Sequence, residues 1–376
     1  MQALLQRLEG DRNIWFIVFS LSLFSILAVY SATGSLAFTQ QSGNTEHYLG
    51  KQVMLVGFGF FLMYAAHLIS HLYYSRVAQM MLYISIPLLL YTLLFGTDIN
   101  DARRWLTVPV LDITFQTSDL AKLALIMYTA RMLSKKQHII KDFDKAFIPI
   151  AAPMITICML IVPADLSSAA LLFITCTILM FIGRVSLRHI GLTIWLGLTA
   201  FLLYIGFLAI MPNEGRVGTW KSRIESFVSD KEKELPAQVK YAKVAMANGG
   251  IVRLAPGKSI QRNFLPHPYS DFIYAIIIEE YGLLGGVIVA FLYLGFLYRC
   301  IKIFIKSPGA FGAFLAVGLG ISLVLQALMN MAVTVNLLPV TGLTLPLVSM
   351  GGTSLLFTSI AIGIILSVSR DIDKTS

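Results

Sequence analysis

The chain has 376 residues, of which 57% are hydrophobic and only 13% charged, with a mean hydropathy of +0.76 and a formal net charge of +9. Soluble globular chains carry about a quarter charged residues, so this composition excludes a soluble domain as the body of the molecule. Its apolar runs are too long and continuous for the alternating strands of a transmembrane barrel, which leaves an all-α, polytopic integral membrane protein whose helices satisfy their own backbone in lipid.

Taken in chain order, the apolar runs predict about ten transmembrane helices, near 14–37, 49–69, 77–95, 118–133, 146–162, 166–183, 189–211, 271–298, 309–335 and 342–368. The first run is too long for a signal peptide and lacks an A-x-A cleavage pattern, so it reads as a retained span. With the N-terminus in the cytoplasm, fifteen Lys and Arg fall on inner segments and four on short outer ones, as the positive-inside rule requires. Both termini are therefore expected in the cytoplasm. The remaining ten basic residues lie in one long loop, 212–270, expected to be extracytoplasmic and to sit within a single membrane domain covering 1–376. Cys158, Cys176 and Cys300 lie in or beside apolar runs with neither metal nor disulfide spacing, and read as core thiols.

Most catalytic signatures are missing: no Walker A, no HExxH, no paired CxxC, no serine elbow. Nothing suggests ATP hydrolysis or an organic cofactor, and no nucleic-acid partner is expected. "GFGFF" at 57–61 reads as an apolar helix with small residues for close packing, not as a phosphate loop.

Four stretches place polar residues against this apolar background. In "DARRWLTVPVLDITFQTSDLAKLALI" (101–126), Asp119 and Lys122 are i, i+3 neighbours able to pair. Arg103 and Arg104 suit an interfacial anchor or a phosphate site. In "PADLSSA", Asp165 reads as a helix cap. In "NFLPHPYSDFIYAIIIEEYG" (263–282), a helix starting at Asp271 would offset Glu279 and turn Glu280 to the opposite side, so the three acids would not form one cluster on that helix. Asp271 itself suits either a helix-dipole partner or a base, while Glu279 and Glu280 suit structural pairing. In "NLLPVTGLTLPLVSMGGTSLL" (336–356), prolines and glycines break the chain, which at membrane depth goes with either a kink or a cavity-lining backbone.

These stretches, in this order, resemble the SEDS family of bacterial cell-wall polymerases over essentially the whole chain. "RRWL…TFQTSDLAKLALI" is similar to the family's RW…FQPSE-AKL stretch, residues 263–282 to its LPE-HTDFIFA-IGEE-G stretch, and residues 337–356 to LPxxGxxLPFxSYGGSS. Departures are Asp119 for the family's Glu, Thr117 for Pro, Ala164-Asp165-Leu166-Ser167-Ser168 for PDLGT, and Met350 for Tyr. The resemblance implies a peptidoglycan glycosyltransferase that polymerises lipid II outside the cytoplasmic membrane, nearer the division type than the elongation type, with Asp271 matching the family's essential aspartate. It also implies a class B penicillin-binding protein transpeptidase as partner, with other divisome or elongasome membrane proteins.

The chemistry can be argued on its own terms. Making a β-1,4 link from an α-linked sugar pyrophosphate inverts the anomeric centre, so one base and cationic groups on the leaving pyrophosphate suffice. Arg103, Arg104, Lys122, Arg216, Arg223, Lys258 and Arg262 are the candidate substrate-binding cations, with Asp119, Asp165, Glu279 and Glu280 as structural or tuning acids. A divalent cation, Mg or Mn, held partly by the pyrophosphate fits the same demand, although no protein ligand set for it is legible. Two rival readings stand beside this one: a flippase for lipid-linked intermediates, and a non-catalytic division scaffold.

Overall fold

The computed structural model describes residues 9–34, 36, 45–99, 102–108, 113–210 and 237–373. Among them are eleven α-helices, namely α1 (Arg12–Ala32), α2 (Thr45–Leu68), α3 (His71–Phe95), α4 (Thr117–Lys135), α5 (Ile148–Ile161), α6 (Leu166–Ile182), α7 (Leu187–Ile210), α8 (Ala237–Gly249), α9 (Ile273–Lys306), α10 (Ala310–Thr334) and α11 (Thr353–Asp373). Eight helical segments are long and apolar enough to cross a membrane, α5 counting together with the π-helical turn Phe143–Phe147 that leads into it. The two others at expected positions are α6, apolar but only 17 residues, and α4, which carries Asp119, Lys122, Arg131 and Lys135. The polytopic helical architecture read from composition is the architecture found.

The boundaries depart from expectation where polar contacts decide them. Helix α1 ends at Ala32 rather than 37, and its start is fixed by the Asp11 carboxylate, which accepts from the Asn13 and Ile14 amides. Helix α9 begins at Ile273, not at Asp271, and runs on to Lys306, beyond the expected 298. Helix α8 lies inside the stretch read as one long loop.

The fold is also not purely helical. Residues Thr97–Ile99, Ala102–Val108 and Ile113–Gln116 form an antiparallel sheet β1-β2-β3, with Trp105 opposite Gln116 and Leu106 opposite Phe115. The strand pattern here is short, interrupted by Pro109, and lost among longer apolar runs, so periodicity did not announce it.

The chain divides into two compact units. The first comprises Met1–Leu68, Arg223–Arg299 and Leu323–Leu366; the second comprises Ile69–Ser222, Cys300–Ser322 and Ser367–Ser376. Helix packing inside the first unit is close enough to demand small residues. A Cβ on Gly363 of α11 would lie 2.3 Å from the Met63 carbonyl oxygen of α2, and one on Gly59 of α2 would lie 2.7 Å from Ser359 Oγ. That accounts for one glycine of "GFGFF"; a Cβ on Gly57 would meet nothing within 4 Å. The three cysteines are buried and unbridged.

Candidate active site

In the first unit, Pro266 and Pro268 keep residues 264–272 out of a helix, and Asp271 stands half-buried in the turn that leads into α9. Its Oδ1 accepts from the Ser270 hydroxyl at 2.8 Å. What fixes the turn is a set of donors from α10 and the broken segment after it. The Met350 amide donates to the Tyr269 carbonyl (2.9 Å), the Ser349 hydroxyl to the Ser270 carbonyl (2.6 Å), and the Asn330 side-chain amide to the Asp271 carbonyl (2.8 Å). Three successive carbonyls are thereby held, which fixes the backbone that carries the carboxylate.

The donors are themselves anchored. Asn330, buried in α10, also donates to the Leu343 carbonyl at 2.7 Å, and Ser349 Oγ accepts from the Leu345 amide at 2.8 Å. Gln326 donates to the Thr344 carbonyl, Ser25 to that of Val348, and Tyr293 to that of Pro346. Leu347, at φ 63°, sits in the left-handed region that bulky residues rarely enter, and its neighbours hold it there. The breakers at 336–356 thus make a hydrogen-bonded platform for the Asp271 turn. Tyr269, next to that turn, has its phenol raised by burial first, then by Tyr48 and the Asp271 charge.

Glu279 and Glu280 are both buried, and both close on one returning segment. Glu279 accepts from the Ser259 hydroxyl and from the Ile260 (3.1 Å) and Gln261 (3.3 Å) amides. Glu280 accepts from the Ser31 hydroxyl and the Ser259 amide (3.2 Å). The helical wheel separates these acids, but the 257–262 segment wraps across α9 and meets both. Arg262 is drawn into the same knot, donating to the Ser31 carbonyl (2.8 Å) and hydroxyl (3.2 Å). Beside it lies a cavity of ≈ 520 Å³ lined by Tyr30, Ser31, Gly34, Thr45, Gly257, Arg262 and Asn263. Lys258 is exposed on this segment.

The second unit holds a different cluster. Lys122 pairs with Asp119 at 2.7 Å, and Arg104, from β2, with Asp165 at 3.1 Å. Asp165 also caps α6, accepting from the Ser168 amide (3.1 Å) and hydroxyl (2.9 Å). Burial alone would raise its carboxyl, but Arg104, then Lys122 and the Ser168 hydrogen bonds outweigh it, and the carboxyl sits below its usual 3.8. The Arg103 side chain, Arg216 and Arg223 lie outside the described residues. Among the described residues no group of three or more His, Cys, Asp or Glu could hold a metal ion.

The sequence reading missed Asn330, Ser349, Ser259 and Ser31. Asn330 left a signal, since it and Gln326 are amides in the apolar run "LQALMNMAVT", where a polar group needs a partner. Ser349 lay inside the 336–356 stretch already singled out, whereas Ser259 and Ser31 left no signal.

Helices of this number and hydropathy, closed over polar turns, define a multi-pass membrane protein. The sequence profile of the FtsW/RodA/SpoVE family, described as "Cell cycle protein", matches residues 11–374, and the chain belongs to that family, the SEDS proteins. Stage V sporulation protein E of Bacillus subtilis is 30% identical over 371 residues, covering 97% of this chain and 98% of that protein. A probable peptidoglycan glycosyltransferase FtsW of Geobacter metallireducens is 32% identical over 371 residues, covering 97% and 96%. Among solved structures, a chain from "Structural coordination of polymerization and crosslinking by a peptidoglycan synthase complex" superposes with a TM-score of 0.72 at 24% identity, covering 96% of this chain and 98% of that one. Thermus thermophilus rod shape determining protein RodA superposes with 0.69 at 23%, covering 96% and 97%. These likenesses fix the fold.

Proposed function

We propose that this chain is a peptidoglycan glycosyltransferase that polymerises lipid II at the outer face of the bacterial cytoplasmic membrane, in cell division, by inverting transfer with Asp271 as general base. The observation that carries the reading is the fixing of the Tyr269, Ser270 and Asp271 carbonyls by Met350, Ser349 and Asn330, which holds one half-buried carboxylate on a hydrogen-bonded turn. A base must meet its proton within hydrogen-bond reach, and an anchored backbone supplies that placement. Relatives named peptidoglycan glycosyltransferase FtsW support the same activity.

In this reaction the Asp271 carboxylate takes the proton of the acceptor sugar hydroxyl, whose oxygen attacks the anomeric carbon of the donor. The bond from that carbon to the pyrophosphate oxygen breaks, and the leaving group departs with the electron pair. Arg262 and Lys258, in the same unit as Asp271, are the described cations we assign to the leaving phosphates. Arg103, Arg104 and Lys122 remain candidates from the second unit, and Arg216 and Arg223 from outside the described residues. Among the described residues the carboxylates do not by themselves form a metal cage; a divalent cation, Mg or Mn, would be held largely by the pyrophosphate and would neutralise charge on the leaving group. Both termini face the cytoplasm in this reading, and cross-linking falls to a class B penicillin-binding protein partner. A synthase complex that couples polymerisation and crosslinking contains a chain of this fold, which supports such a partnership.

The test is polymerisation of lipid II by the purified chain with a divalent cation. Wild type is expected to make glycan strands, and Asp271→Asn to make them about 10²–10⁴-fold more slowly while unfolding at the wild-type temperature. Strands of normal length made at the wild-type rate by that variant would sink the assignment.

A further inference from the structure

Helix α9 is not continuous. Gly282 has φ 73° and ψ −177°, and the chain breaks there so that residues 250–255 can hydrogen-bond to the exposed backbone. The Leu283 amide donates to the Gly250 carbonyl (2.9 Å), the Leu284 amide to Ile251 (3.1 Å), and the Ala255 amide to the Glu280 carbonyl (3.0 Å). A Cβ at 282 would lie 2.7 Å from the Ile251 carbonyl oxygen, so only glycine fits both the angle and the contact. Helix α8 leads into this segment, and a Cβ on Gly249 at its end would fall 2.0 Å from the Ile278 carbonyl oxygen. The returning strand then climbs to Glu279, Glu280 and Ser31.

The level of this hairpin can be measured along α1. At one end Asp11 is bound to Arg299 of α9 (2.7 Å), and at the other Ser31 is bound to Glu280 of α9. At 1.5 Å per residue, Asp11 and Ser31 stand about 30 Å apart, which is the thickness of the bilayer's hydrocarbon. Arg299, with Lys302 and Lys306 beyond it, marks one boundary. Glu280 and Ser31 therefore mark the other. The backbone bonds to 283 and 284 put residues 250–251 just inside it, about 5 Å into the acyl region.

At that depth the segment reads "IVRLAP". Ile251 is 77% exposed, Val252 65% and Leu254 84%, beside exposed Leu283 and Leu284 of α9. Three apolar side chains so exposed on a loop in water would be costly, but at the boundary of the acyl chains they are in their own solvent. Arg253, between them, folds its guanidinium back to the Asn248 carbonyl (2.7 Å), the habit of a basic residue that reaches for the interface from an apolar level.

We infer that residues 250–255 form a re-entrant wedge in the outer boundary of the bilayer, with Ile251, Val252 and Leu254 among lipid acyl chains and Arg253 at the phosphate level. The occupant of this face is membrane lipid rather than a protein partner. The inference rests on the chain's spanning a bilayer and not on the reaction proposed above.

The test uses the full chain in phosphatidylethanolamine–phosphatidylglycerol vesicles. Val252→Cys carries an environment-sensitive fluorophore, and Pro266→Cys in the Asp271 turn carries the same one as reference; the native cysteines are buried and stay in place. Bromine on the upper acyl chain is expected to cost the label at 252 about half its emission, as shallow burial predicts, while aqueous iodide barely affects it. The order of the two quenchers is expected to reverse at 266. Hydroxyl-radical footprinting of the unmodified chain in the same vesicles gives a readout free of any variant, with Ile251, Val252 and Leu254 expected to be protected relative to Pro266. Iodide quenching at 252 equal to that at 266, or equal oxidation of the two sites, overturns the wedge and leaves the face to a partner protein.

Discussion

The Asp271 turn and the Asp119–Lys122–Arg104–Asp165 cluster are both polar islands in an apolar chain, yet they spend their polar groups in opposite ways. In the cluster, each acid has a cation within 3.1 Å, so the charges are consumed by one another. At the turn, amide and hydroxyl donors go to backbone carbonyls, and a single carboxylate is presented on the scaffold they make. The contrast separates holding from acting: mutual charge pairing secures an architecture, whereas a fixed backbone aims one ionisable group.

The largest expected effect is on rate. Asp271→Asn should lower polymerisation by about 10²–10⁴-fold, the usual range for a general base, with unchanged thermal unfolding. A parallel loss of stability would place Asp271 with the holding groups and erase the contrast. Next in size is Lys122→Met, which strands a buried Asp119 charge and should cost about 3–5 kcal/mol of stability, read from denaturation in detergent. Adding Asp119→Leu should restore most of it; a restored fold without activity would show that the pair also serves the reaction.

A smaller effect is expected of Asn330→Leu, which leaves the Asp271 and Leu343 carbonyls without their amide donor at a cost of about 1–3 kcal/mol. Its signature is a fall in turnover beyond what the remaining folded fraction explains, with Asn330→Gln recovering part of it. Smallest is a pH effect. Because the Asp165 carboxyl is held below 3.8 in the folded chain, its contribution is complete above about pH 5 and is lost as pH falls through the lower folded value. Unfolding temperatures followed down to about pH 3 should therefore drop more steeply for wild type than for Asp165→Asn.

Much of this molecule is legible in its sequence because membrane solvation writes itself into composition. Long apolar runs had to be helices, and the i, i+3 spacing of Asp119 and Lys122 foretold their ion pair. Asp271 stood out as an acid at the mouth of an apolar run. The sheet at 97–116 did not, since its strands are too short for period-two alternation to outweigh the neighbouring spans.

Helical spacing placed Glu279 and Glu280 on separate faces, and that angle is a property of one helix alone. Tertiary structure brought a segment some twenty residues upstream across both faces, and broke the helix at Gly282 to admit it. The role of Asn330 was likewise invisible, because its two acceptors come from chain stretches that no periodicity relates to it. Sequence by itself determined which residues could not face lipid unpaired, since the cost of burying a polar group is local to that group. Which partner relieves each of them is a matter of long-range contact, and only the folded chain decided it.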